Sequence, residues 1–267
     1  MKKYISLFRI RFINGLQYRA AAYAGIVTQF AWGLMEIMLY RAFYRANRAV
    51  FPMEFSQMAS YVWLKQAFVA LFMAWYLDNE IFMQISSGNI AYELSRPMDL
   101  YNMWFTKNMA NRYARVLLRC IPILVVAIFV PKPYGLSMPP SPISFIMFLI
   151  TAILGSITVV AFCMIIYINT FYTLSPSGMR SIAISITDIL AGAIIPLPFF
   201  PEKVLRIVKL TPFASMQNLS FLIYSGNITG SEMWQGISLQ VFHLIALIIL
   251  GKVYMNRALK RVVVQGG

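Results

Sequence analysis

The sequence predicts an all-α integral membrane protein with six transmembrane helices. Three observations carry this. Hydrophobic residues make up 60% of the 267 positions and charged residues only 12%, at a mean hydropathy of +0.67, far from the balance of a soluble domain. The apolar runs are long enough to cross a bilayer, which takes about 20 helical residues each. The short alternating segments that a membrane barrel would need are absent from the sequence.

The net charge is +14. In a soluble protein that excess would suggest nucleic acid. Here no basic patch interleaved with aromatics sits on a soluble module, so no nucleic-acid partner is expected. Lys and Arg instead gather at the cytoplasmic flanks of membrane helices, where anionic lipid head groups attract them. Membrane lipids are thus an expected partner. The two cysteines, Cys120 and Cys163, fall in apolar runs and read as small buried hydrophobes rather than a disulfide or metal framework. "MKKYISLFRIRF" has a positive start but lacks a short apolar core followed by a small-residue cleavage site. No cleaved signal peptide is expected.

Residues Lys2 to Arg19 come first. Tyr4, Ile5, Phe8, Phe12 and Leu16 share a helical face, with Lys3, Ser6, Asn14 and Gln17 opposite. That pattern predicts an amphipathic helix lying in the membrane interface; a plain basic lead-in is the alternative. Ile10 intrudes on the polar face and Arg19 on the apolar one. Span one covers about Ala20 to Phe43 and contains Glu36. Span two covers about Met58 to Leu77 and contains Lys65. A long polar stretch, 78–112, separates it from span three, which follows Arg112, Arg115 and Arg119 and ends near Pro131. "PKPYGLSMPPSP" is a Pro-rich turn. Span four covers about Ile143 to Tyr172. After the polar turn "TLSPSGMR", span five runs from about Ile182 to Phe200 and carries Asp188. Segment 201–234 is moderately apolar, broken by Pro212 and Gly226. Span six covers about Ile237 to Tyr254, followed by Arg257, Lys260 and Arg261.

An even number of spans puts both termini on one side. Placing them in the cytoplasm gives that side about twice the Lys and Arg of the other, so the termini are expected inside. Segment 78–112 is then cytoplasmic. Two glycosylation sequons, at Asn218 and Asn227, fall on the expected outer side.

A connection between two membrane helices can be very short. This one has a helical pattern of its own. Ile81, Ile85, Ile90 and Leu94 offer an apolar face; Glu80, Asn89 and Glu93 offer polar groups. Gly88 permits a turn. Pro97 ends any helix before it, because it lacks an N–H and restricts Arg96. The expectation is one or two short helices with a rigid end at the inner membrane surface, able to dock against another protein. A hairpin that only pads the bilayer edge is the alternative.

"GNIAYELSRPMDLY" (Gly88 to Tyr101) resembles the cytoplasmic signature of type-2 ABC exporter permeases, in the viologen-exporter-like branch. "LPFFP" (Leu197 to Pro201) and "TPFASM" (Thr211 to Met216) are similar to the stretch after the fifth span of that family. The resemblance implies one transmembrane domain over 1–267. Its parts would be an interfacial helix (1–19), a cytoplasmic coupling helix between spans two and three (within 78–112), and short outer-side helices before span six (within 201–234). It also implies pairing with a second permease subunit, identical or paralogous, and docking of separate ABC ATPase subunits. No G-x-x-x-x-G-K-[ST] occurs in the sequence, so ATP and Mg would be held by that ATPase, with no cofactor on this chain. The coupling contact would come from Ile90, Glu93, Leu94, Arg96 and Pro97, with Arg180 a weaker candidate.

Glu36, Lys65 and Asp188 lie within expected spans. Charges there are costly and tend to face a bundle interior or a cavity. Glu36 and Asp188 are candidates for a substrate path or gate; an intrabundle Glu36–Lys65 pair is the alternative. His243, the only histidine, reads as a packed, hydrogen-bonded residue. Two other functions compete. A membrane-embedded lipid-modifying enzyme would want clustered acids, histidines or a metal constellation. An ion-driven secondary transporter would favour inverted repeats and broken helices.

Overall fold

The computed structural model describes residues 2–17, 19–173 and 175–261, with the side chains of positions 19–21 not among them. The Arg19 side chain, which the sequence pattern set on an apolar face, therefore lies outside the described residues. The described residues are helical, without strands. In chain order the helices are α1 (Lys2–Leu16), α2 (Arg19–Ala46), α3 (Phe55–Ala67), α4 (Val69–Phe72), α5 (Asn79–Ser86), α6 (Ile90–Leu94), α7 (Leu100–Phe129), α8 (Pro142–Thr173), α9 (Ser177–Leu190), α10 (Glu202–Lys209), α11 (Asn218–Tyr224) and α12 (Gly230–Leu259). Single 3₁₀ turns occupy Arg48–Val50 and Leu197–Phe199.

Among the described residues three helical stretches are long and apolar enough, by length and composition, to cross a membrane: Ala22–Ala46, Pro142–Thr173 and Gly230–Leu259. They match expected spans one, four and six. The other expected spans have different boundaries. Span two is broken: α3 stops at Ala67, α4 at Phe72, and the chain from Met73 to Asp78 is non-helical. The 13 residues of α3 reach only about 20 Å, short of a bilayer core of about 30 Å. Span five is represented by the 14-residue α9, which ends well before Phe200. Span three belongs to a longer helix: α7 starts at Leu100, capped by the Asp99 carboxylate accepting the Asn102 N–H at 2.8 Å. Part of the expected cytoplasmic loop is therefore the polar first half of α7. Pro122, inside α7, leaves the preceding turn one hydrogen bond short.

The break after α4 has a definite cause. Arg112, on α7 and only 1% exposed, donates from Nη1 to the carbonyls of Leu71 (3.1 Å) and Met73 (2.9 Å), and from Nη2 to that of Tyr76 (3.2 Å). The last carbonyls of a helix have no partner within it. Here the guanidinium supplies one to the Leu71 carbonyl and bonds two carbonyls of the chain beyond, which lowers the cost of leaving the helix there.

Helices α8 and α3 form the centre. α8 packs against α12, α11, α7, α5 and α4. α3 is buried on nearly every side from Met58 to Ala67. Edge-to-face aromatic contacts lock the layers, with Phe221 of α11 meeting both Tyr61 and Phe72, and Phe148 of α8 meeting both Phe68 and Tyr224. Gly155 lets α8 approach the turn before α11. A Cβ there would stand 1.9 Å from the Met216 carbonyl oxygen. Gly155→Ala is expected to lower stability by about 1–3 kcal/mol through overpacking, read as a lower midpoint in detergent thermal unfolding.

The outer segment is also tied down. The Ser215 hydroxyl donates to His243 Nδ1 (2.9 Å), and His243 Nε2–H donates to the Leu210 carbonyl (3.1 Å). His243 is thus a packed clamp between α12 and the segment before α11. Asn218 is buried, and its Oδ1 accepts the Tyr61 hydroxyl at 3.1 Å. In the folded chain this sequon asparagine is closed to modification. Asn227 is half-buried.

Candidate coupling element and membrane cavity

α5 and α6 are two short helices joined at Gly88, which sits at φ +76°, a left-handed conformation that glycine adopts without strain. α5 starts at Asp78, whose carboxylate accepts the Glu80 N–H at 3.0 Å. Burial pushes the Asp78 carboxyl above the usual carboxylate range. Ile81, Phe82 and Ile85 turn inward.

Of the expected contact residues, two face into the protein. Ile90 is buried, and Glu93 is 2% exposed. The Glu93 carboxylate receives Lys107 Nζ and Trp104 Nε1, both from α7. Lys107 is itself 1% exposed, and Trp104 stacks on Phe171 of α8. A buried carboxylate is tolerated only when paired and hydrogen-bonded. Glu93 is therefore the rivet that holds α6 to α7 in the isolated subunit. Leu94, Arg96 and Pro97 are exposed, as are Met83 and, at 75%, Tyr92. Sequence reasoning did not single out Tyr92 or Met83; the signal available was an aromatic and a Met opposite the inward isoleucines.

Other elements hold the same segment. The Asp78 N–H donates to the Tyr167 hydroxyl of α8, which in turn donates to Asn108 Oδ1 of α7. From α1, Arg11 pairs with Glu80 (3.3 Å), Lys3 donates to the Pro97 carbonyl, and the Tyr4 hydroxyl accepts the Asp99 N–H. From α9, Arg180 donates to Asn79 Oδ1 (2.9 Å) and lies over the Phe82 ring. α1 packs along α7 with Tyr4, Leu7, Phe8, Phe12 and Leu16 partly buried, while Ile5 and Ile10 are exposed. Ile5, on the apolar face of the sequence pattern, is not packed against α7. Motion of α5–α6 would be passed to α1, α7, α8 and α9 through these bonds.

Glu36, Lys65 and Asp188 meet at one cavity of about 820 Å³. Lys65 donates to Glu36 Oε1 and to the Ala193 carbonyl (2.8 Å), and Gln66 donates to Glu36 Oε2 (3.2 Å). Glu36 is therefore a paired, bundle-ordering acid. Asp188 differs: its Oδ1 is buried with no hydrogen-bond partner among the described residues. Trp32, Met35, Tyr40, Met73 and Trp75 supply the apolar wall. Among the described residues no group of His, Cys, Asp and Glu could hold a metal ion.

The family model described as ABC-2 family transporter protein matches residues 30–266, nearly the whole chain. The chain belongs to the ABC-2 transporter family. As an ABC-2 permease it is a membrane transport component of a family that is typically non-catalytic and works in general with an ATPase partner. No curated protein matches the chain.

Proposed function

We propose that this permease is the membrane subunit of an ATP-driven exporter of the viologen-exporter-like branch, lying in the cell membrane with six spans and both termini cytoplasmic. Two permease subunits, identical or paralogous, would form the translocation unit, and separate ABC ATPase subunits would bind ATP and Mg. The single observation that carries the reading is the α5–α6 element, held by bonds to α1, α7, α8 and α9 while it presents Tyr92, Leu94, Arg96 and Pro97 outward. Leu94 and Tyr92 would fill a groove on the ATPase, and Arg96 would fix register through a charge-assisted bond. Glu93 and Ile90 would act from behind, by transmitting load rather than by touching the partner. The unpartnered carboxylate of Asp188 makes the cavity the candidate substrate path.

Affinity purification tests this. A separately encoded ATPase is expected to come down with the chain, and Arg96→Glu is expected to lower its retention about tenfold, the loss of one charge-assisted bond. Full transport in vesicles with an ion gradient and no ATPase would instead assign the chain to ion-driven transport.

A further inference from the structure

A second cavity, of about 550 Å³, lies where α1 and α2 meet α7 and the start of α5. Its wall includes Arg11 and Asn14 of α1, Asn111, Arg115 and Arg119 of α7, and Tyr76. We infer that this cavity binds the phosphate of an anionic phospholipid, seated between the Arg115 and Arg119 guanidinium groups beneath α1.

The charge arrangement points to an anion. Asp78 and Glu80 also line the cavity. Glu80 is already matched to Arg11, and Asp78 is held by the Glu80 N–H with its carboxyl displaced upward by burial. Arg115 has no carboxylate at ion-pair distance among the described residues; its guanidinium lies 5.1 Å from the centre of the Tyr76 ring. Arg119, one turn along the same helix, donates to the Tyr76 hydroxyl at 2.8 Å. Two like charges at this spacing repel, and an anion held between them reverses the sign of that interaction. The position of Arg119 is built in, since a Cβ on Gly25 of α2 would stand 2.7 Å from its Cζ. Fork-shaped guanidinium groups with amide neighbours such as Asn14 and Asn111 match phosphate oxygens.

The surroundings favour a lipid over a soluble phosphate. α1 carries exposed Ile5, Ile10 and Ile13, and the first turns of α2 carry exposed Tyr23 and Val27, so apolar surface adjoins the polar cavity on both helices. A phosphate here would leave acyl chains free to lie along those side chains. The inference rests on the interfacial placement of α1 in the proposed reading, but not on an ATPase or on export.

Native mass spectrometry and thermal unfolding of the purified full chain, titrated with short-chain phosphatidylglycerol, phosphatidylcholine or inorganic phosphate, decide it. Phosphatidylglycerol is expected to be retained and to raise the unfolding midpoint, with phosphatidylcholine at least tenfold weaker. Arg115→Gln is expected to weaken phosphatidylglycerol about tenfold, and Arg45→Gln, at the other end of α2, to leave binding intact. Equal binding of both lipids, or insensitivity to Arg115→Gln, overturns the inference. Protection by inorganic phosphate equal to that by phosphatidylglycerol overturns the lipid as its source. Neither readout involves ATP, so loss of ATPase co-purification would leave this result standing.

Discussion

Glu93→Ala is expected to detach α6 from α7 at a cost of about 3–5 kcal/mol, because removing one member of a buried ion pair strands the other charge in the interior. The stranded group is Lys107, 1% exposed, with Trp104 Nε1 losing its acceptor at the same time. Glu93→Gln is expected to cost less, since the amide oxygen still accepts one of those bonds. The double replacement Glu93→Met with Lys107→Met should recover most of the loss, as apolar residues of similar volume often replace a buried pair without penalty. Hydrogen exchange across 78–99 reads this directly: faster exchange in Glu93→Ala, near-native exchange in the double variant. ATPase retention separates the two possible roles of Glu93. If it only holds α6, the double variant restores partner binding together with rigidity. If the carboxylate itself meets the ATPase, rigidity returns and binding does not.

The contrast between Glu93 and its neighbours marks where sequence pattern ends. The Ile81, Ile85 and Ile90 face, the Gly88 turn and the break around Pro97 were legible because they depend on residues a few positions apart. The burial of Glu93 was not. An acid four residues before a Pro reads as exposed, and only the fold brings Lys107 and Trp104 to it. The first and fourth long apolar spans were legible within three residues, because about 20 consecutive hydrophobic positions have few alternatives, while the sixth helix starts seven residues before the expected Ile237. The expected second span is helical from Met58 to Phe72 with a break at Phe68, and its end short of Leu77 was not legible, for the reverse reason. Its composition from Ala67 to Leu77 is apolar throughout, and the group bonded at its end, Arg112, stands 36 to 41 positions downstream of the carbonyls it binds. The Glu36–Lys65 pair was named as an alternative from composition alone and is the arrangement found; the isolation of Asp188 beside it took coordinates to see.

Arg112→Met is the second large effect expected. The substitution keeps much of the side-chain length and removes every donor. The buried carbonyls of Leu71 and Met73 would then lose the guanidinium, at about 1–3 kcal/mol for each buried group left unmade, and the part-buried carbonyl of Tyr76 would lose it at a smaller cost. Arg112→Lys should fall between, since an ammonium offers three donors but lacks the planar fork that spans these carbonyls. The position of the break gives the variant a functional signature as well. Met73 and Trp75 wall the cavity that holds Asp188, and Asp78, just beyond, begins the coupling element and is bonded to Tyr167. Arg112 therefore ties the stretch 73–78, which runs from the cavity wall to the coupling element, to α7. An Arg112→Met permease that still folds is expected to retain its ATPase, through the untouched Arg96 surface, yet to hydrolyse ATP without moving substrate. Limited proteolysis should find new cleavage between Met73 and Asp78. Native protection of that segment, with hydrolysis still tied to transport, would mean that the load passes through α1 and α9 instead, by way of Arg11–Glu80 and Arg180–Asn79.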